Sequence, residues 1–172
     1  YLVFFPSYSY LDVAYETFAV KYPDTPVVTQ KPKMTENERQ EFLDHFDGDE
    51  VCGFAVMGGI FGEGVDLKGR RLIGTIIIGV GLPGLSVDRD LIRDRHAEDG
   101  FKFAYQYPGF TRVLQAAGRV IRSEQDEGVV CLVDSRYAEI GYQKLLPSQW
   151  QPHKVLSAKS LRQSLAEFWA DR

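Results

Sequence analysis

Five short apolar runs alternate along this chain with stretches of helical periodicity, and that alternation restricts the fold more than any other feature. The runs are Tyr1–Phe5, Pro26–Thr29, Cys52–Met57, Leu72–Val80 and Gly128–Asp134. They are apolar at successive positions, the pattern of strands covered on both faces, as in a parallel sheet. Parallel neighbours need crossovers, and the intervening segments supply helices. Ser9 is placed to cap a helix running to about Tyr22, with Leu11, Tyr15, Phe18 and Tyr22 on one stripe. Thr35 with Glu38 predicts a capping box that opens a second helix to about Phe46. The charged stretch Asp88–Asp99 predicts a short solvated helix, and Ser157–Arg172 a terminal helix docking through Leu161, Leu165, Phe168 and Trp169. The fold class that follows is α/β: a doubly wound, mainly parallel sheet with helices on both faces and right-handed crossovers. Such sheets hold ligands at the carboxyl ends of their strands.

Composition excludes several function classes. A length of 172 residues suits one domain with its own core. No run reaches the ~20 apolar residues of a membrane span, and no basic segment with a cleavage site opens the chain, so no membrane partner is expected. A cytoplasmic setting is expected, or a nuclear one in a eukaryote. Tyr1 lies inside an apolar run with no methionine before it, which suggests a piece of a longer protein. The net charge of −4 argues against a whole-surface nucleic-acid binder and leaves room for a local site. Lys68, Arg70 and Arg71 are either such a site or a solvated turn. Cys52 and Cys131 sit in separate apolar runs and read as buried free thiols; two cysteines cannot supply the four thiolates of an iron–sulfur cluster. His45, His96 and His153 show no metal spacing, and no metal site is expected.

The chemistry concentrates between Phe110 and Arg122. At about 100° per residue, Phe110, Val113, Leu114, Ala117 and Ile121 gather on one side of a helix. Gln115, Gly118, Arg119 and Arg122 gather on the other. Two guanidiniums a turn apart repel unless an anion or carboxylates neutralise them. Gly118 between them lets a ligand approach the backbone, and planar, permanently charged forks suit phosphate oxygens. The same spacing equally suits a surface helix whose arginines pair with Glu124, Asp126 or Glu127.

Two further segments are suggestive beside it. Gly58 to Leu67 is a glycine-rich turn directly after an apolar run, where an α/β sheet holds phosphate or ribose. Glu63 and Asp66 could accept from sugar hydroxyls or orient an arginine; alternatively the glycines only supply a tight turn. At the end of the first run, Ser7 and Tyr8 could bond a nucleic-acid phosphate or stack beneath a base. They equally suit a helix cap and a tyrosine at the core's edge.

Taken in order, these segments resemble motifs IV, V and VI of superfamily-two helicases. More narrowly, the chain resembles the second RecA-like domain of the XPD/DinG family of DNA helicases. Phe4-Phe-Pro-Ser-Tyr, Gly62-Glu-Gly-Val-Asp-Leu and Gln115-Ala-Ala-Gly-Arg-Val-Ile-Arg carry the resemblance, and the stretch from Asp126 through Asp134 to Tyr137 extends it. It covers residues 1–150 as a motor domain, with 151–172 as a helical tail on the same domain.

The resemblance implies a RecA-like fold and a set of roles. Arg119 and Arg122 would be arginine fingers reaching the γ-phosphate of an ATP held, with Mg²⁺, mainly by the first RecA-like domain of the same polypeptide. Gln115 would sense that nucleotide beside Gly118. Glu63, Gly64 and Asp66 would couple the nucleotide cleft to the DNA groove, and Ser7 and Tyr8 would touch single-stranded DNA. Nothing transfers onto Gly81–Pro108. An iron–sulfur cluster would belong elsewhere in the parent protein.

A phosphoryl-transfer motor also needs a P-loop lysine and a magnesium-binding acid. No Gly-x-x-x-x-Gly-Lys-Ser/Thr occurs here. Asp49-Glu50 precedes its apolar run instead of following it, and Asp134 reads as a structural acid. The chain alone is therefore expected to be inactive, supplying half of an ATP site. The competing reading is a non-catalytic nucleotide- or nucleic-acid-binding α/β module in which the arginines form a passive phosphate clamp.

Overall fold

A computed structural model describes residues 1–48, 50–62, 67, 69–121 and 126–170. All five apolar runs form strands: β1 (Leu2–Phe5), β2 (Val27–Thr29), β3 (Cys52–Val56), β4 (Gly74–Ile78) and β5 (Val129–Val133). They pair in parallel throughout, in the order β2-β3-β1-β4-β5. β1 is central, and its four residues are all buried, as a strand covered on both faces requires. The carboxyl ends of β3, β1 and β4 emerge side by side. The segments that leave them (Met57–Gly62, Pro6–Tyr8 and Gly79–Leu82) therefore meet along one edge.

The sheet's two faces carry separate cores. On one, Leu2, Phe4, Ala55 and Ile77 pack with Phe42 of α2 (Glu36–Asp44), Phe110 and Val113 of α4 (Tyr107–Ala117) and Tyr142 of α5 (Ile140–Gln143). On the other, Val3, Phe5 and Phe54 pack against Leu11, Ala14 and Phe18 of α1 (Tyr8–Lys21). Gly53 of β3 lies under Phe42 of α2 and Phe46 just after it: a Cβ there would stand 2.6 Å from Phe46 Cζ and 3.0 Å from Phe42 Cζ. The terminal helix α6 (Ala158–Ala170) buries no residue fully; Trp169 Nε1 donates to the Tyr1 hydroxyl at 3.0 Å. Among the described residues no helix is long and apolar enough to cross a membrane.

Helix boundaries follow the caps, and here the structure corrects the sequence in three places. The cap of α1 is Ser7, not Ser9: Ser7 is extended, its carbonyl accepts from Leu11 N, and its Oγ accepts from Tyr10 N at 3.2 Å. The buried stripe is consequently Leu11, Ala14 and Phe18, while Tyr15 and Tyr22 are exposed. The capping box of α2 forms as expected, Thr35 Oγ1 accepting from Glu38 N while Glu38 accepts from Thr35 N. The Thr35 backbone N–H and hydroxyl, both donating to that carboxylate, hold it below its usual range.

The third correction concerns α4. It ends at Ala117 instead of running to Arg122, because Gly118 closes it and the chain tightens into i→i+3 bonds, Arg119 N to Ala116 O and Val120 N to Ala117 O. A tight turn advances about 120° per residue where an α-helix advances about 100°. Val120 therefore swings into the core against Gly128, and Ile121, expected inside, is 46% exposed.

Between β4 and α4 the chain forms α3 (Val87–Arg95), which buries no residue, a 3₁₀ turn (Ala97–Asp99) and a π-helical turn (Lys102–Gln106) that runs into α4.

Candidate phosphate and nucleic-acid site

Gly58 to Gly62 forms two linked tight turns, Gly59 N donating to Val56 O and Gly62 N to Gly59 O. α4 and the turn that follows it meet this segment through two arginines. Arg119 Nε donates to Gly62 O at 3.2 Å. Arg112, two turns earlier, lies over Gly58. A Cβ on Gly58 would stand 3.1–3.2 Å from Arg112 Nε, Cδ and Cζ, and Gly58 itself has φ +73°. The left-handed backbone favours glycine there, and any side chain would also press on the Arg112 guanidinium.

Gln115 and Gly118 are exposed beside Arg119, which is half-buried. The helical face proposed for the chemistry is thus kept for Gln115, while Arg119 reaches the site from the turn after the helix. Arg122, Glu63, Gly64 and Asp66 lie outside the described residues, as do Lys68, Asp49 and Glu124. Of the basic trio, Arg71 pairs with Asp47, Nε to Oδ1 at 2.6 Å.

Tyr8 is linked to the glycine turns through a residue that sequence reasoning missed; Ser7 next to it caps α1. Gln30, 4% exposed, accepts from Val56 N at 2.9 Å through Oε1 and donates to the Tyr8 hydroxyl at 2.9 Å through Nε2. A Cβ on Gly59 would stand 2.9 Å from that Nε2. The glycine turns are therefore enclosed by Gln30 and Tyr8 on one flank and by Arg112 and Arg119 on the other. No pattern marks a single glutamine after a strand. Arg112 was readable, standing three residues before Gln115 on the same helical face.

At the end of β5, Asp134 is fully engaged. Arg136 donates to it from its backbone N and, bidentately, from Nε and Nη2 at 2.8 and 2.7 Å. The hydrogen-bonded guanidinium holds the carboxyl below its usual range. Tyr137 donates to Gly79 O at 2.8 Å, and burial pushes its phenol well up. Cys52 and Cys131 are free thiols whose ionisation burial disfavours. Among the described residues no group of three or more His, Cys, Asp or Glu could hold a metal.

Comparison with known proteins bears on the family and the fold. The family described as "Helicase C-terminal domain" matches residues 1–153. The "Regulator of telomere elongation helicase 1 homolog" of Caenorhabditis elegans is 30% identical over 166 residues, covering 80% of this chain and 17% of its own length. The "ATP-dependent DNA helicase CHL1" of Candida glabrata is 26% identical over 191 residues, covering 95% of this chain and 22% of its own. The chain thus spans about a fifth of the length of these curated relatives. Among solved structures, domain 2 of the Mss116p DEAD-box helicase bound to an RNA duplex shares the fold, with a TM-score of 0.53 at 16% identity over 97% of this chain and 56% of that one. The sheet is that of a RecA-like helicase domain, and the chain belongs to the helicase C-terminal domain family.

Proposed function

We propose that this chain is the second motor lobe of an ATP-dependent DNA helicase, completing from one side an ATP site held mainly by a first RecA-like lobe of the same polypeptide. The bond from Arg119 Nε to Gly62 O carries the reading. It fixes the plane of a half-buried guanidinium beside the glycine turns, with the exposed Gln115 amide and the bare backbone of Gly118 next to it. Such a set of donors suits phosphate oxygens. Magnesium is assigned to the first lobe.

When bound, ATP supplies the phosphoryl group whose transfer drives the motor. Arg119, with Arg122, complements the charge that develops on the terminal phosphate. Gln115 reports its presence to α4, and Glu63, Gly64 and Asp66 couple that change to the nucleic-acid groove. Ser7 and Tyr8 hold the backbone of single-stranded DNA. Loss of the terminal phosphate removes the attraction between the lobes, so the cleft opens and the DNA contacts shift.

An arginine finger contributes ~10³–10⁵ in rate. In the intact parent protein, Arg119→Ala and Arg122→Ala are expected to lower DNA-stimulated ATP turnover by about 10³-fold or more while ATP binding persists. Near wild-type turnover in both variants would remove the role.

A further inference from the structure

The buried amide of Gln30 determines which way a hydrogen bond runs at Tyr8. Gln30 follows β2 directly, and its backbone N–H donates to Phe54 O at 2.7 Å, holding it against β3. The two ends of an amide are alike in shape and opposite in hydrogen bonding. Turned over, the amide would face its NH₂ toward the Val56 N–H, two donors 2.9 Å apart. The backbone of β3 therefore fixes Oε1 on Val56 and Nε2 on Tyr8.

It follows that the Tyr8 oxygen is an acceptor toward Gln30, so the phenol's own proton must go to some other acceptor. Among the described residues none takes it: the bond from Gln30 is the one side-chain hydrogen bond at the Tyr8 hydroxyl. Ser7 beside it is in the same condition, its Oγ accepting from Tyr10 N and its hydroxyl proton directed elsewhere. Both residues sit where the chain leaves β1 at the carboxyl edge of the sheet, Tyr8 half-buried and Ser7 exposed. Two adjacent hydroxyl donors so oriented suit an anionic oxygen.

We propose that Gln30 is a positioning residue that makes the Tyr8 hydroxyl a donor to a phosphate oxygen of the bound nucleic-acid strand. The proposal rests on the helicase reading and adds to it a residue and a direction of donation. Gln30 does not touch the strand; it acts by occupying the lone pair of Tyr8 that would otherwise compete for orientation.

The test uses the intact parent protein and two probes, a fluorescent single-stranded oligo-dT without nucleotide and a fluorescent ATP analogue without DNA. Tyr8→Phe is expected to weaken oligo-dT binding about 10-fold or more, the worth of one hydrogen bond to a charged group, while the protein stays folded. Gln30→Glu is expected to do the same at pH 8, because a carboxylate satisfies Val56 N and also captures the Tyr8 proton. The double variant should bind no more weakly than either single one. On acidification the introduced carboxyl regains a proton and can donate to Tyr8 again. The affinity of Gln30→Glu relative to wild type should then recover, while that of Tyr8→Phe stays constant; a merely structural glutamine would give no such profile.

Weakened ATP-analogue binding with unchanged oligo-dT binding would support the same donor with the nucleotide's phosphate as acceptor. A folded Tyr8→Phe protein that binds both probes as wild type does would overturn the proposal. Absence of DNA-stimulated turnover in the wild type would overturn the helicase reading instead, and the oligo-dT affinities would still decide the role of Tyr8.

Discussion

Arg119 Nε donates to the carbonyl oxygen of Gly62 at 3.2 Å, so the turn that ends α4 is tied to the glycine turns that leave β3. That bond holds the planar fork by its Nε–H, which fixes the plane of the whole guanidinium. Lysine keeps the charge and loses the plane. Arg119→Lys in the intact protein is therefore expected to cut DNA-stimulated turnover by about 100-fold or more, closer to Arg119→Ala than to wild type. Steady-state ATPase measurements on the three proteins check it.

Gly53 sits under two rings of the α2 region, at 2.6 Å from Phe46 Cζ and 3.0 Å from Phe42 Cζ for an added Cβ. Both phenylalanines are buried and cannot swing into solvent. Gly53→Ala is expected to destabilise the domain by about 1–3 kcal/mol, the cost of overpacking a filled core, read as a lower midpoint in urea with an unchanged slope.

Asp134 makes the stability pH-dependent with a definite sign. Its folded-state pKa is depressed, chiefly by the Arg136 side chain, so its contribution is present above the unfolded value of about 3.9 and is lost as pH falls through the folded value. Asp134→Asn should lower the unfolding free energy at pH 7 by about 1 kcal/mol, a modest figure because Arg136 is partly solvated. The gap from wild type should close as pH drops below about 4. A gap that did not narrow as the pH fell from about 7 into the acid range would contradict the assignment.

The capping box at Thr35 is reciprocal, with bonds of 3.3 Å from Glu38 N and 2.7 Å to Glu38 Oε2. Thr35→Ala removes one orphan donor's partner and is expected to cost about 1 kcal/mol; Thr35→Ser should restore most of it. Thermal unfolding of the set distinguishes a cap from a packing effect.

The parallel sheet was legible in the sequence because strands buried on both faces leave apolar runs, uninterrupted at Leu2–Phe5 and broken only by Thr75 within β4. What stayed hidden depended on tertiary geometry. Ser7 and Ser9 are both good caps, and only the extended backbone after Pro6 selects Ser7. Helical spacing runs unbroken from Phe110 to Arg122, yet Gly118 lets the chain tighten and exchanges Val120 for Ile121 in the core. The π-turn at Lys102–Gln106 has no periodicity of its own. Gln30 carries no motif, and its importance arises from what Tyr8 and Val56 present to it.

The central claim is that Arg119 acts on the transition state of phosphoryl transfer, and its most direct test compares two ligands of the intact protein, ADP with aluminium fluoride and a non-hydrolysable ATP analogue. Transition-state complementarity predicts that Arg119→Ala weakens the aluminium-fluoride complex by about 100-fold or more while analogue affinity changes by less than about 3-fold. Equal losses for both ligands, or none for either, would contradict it.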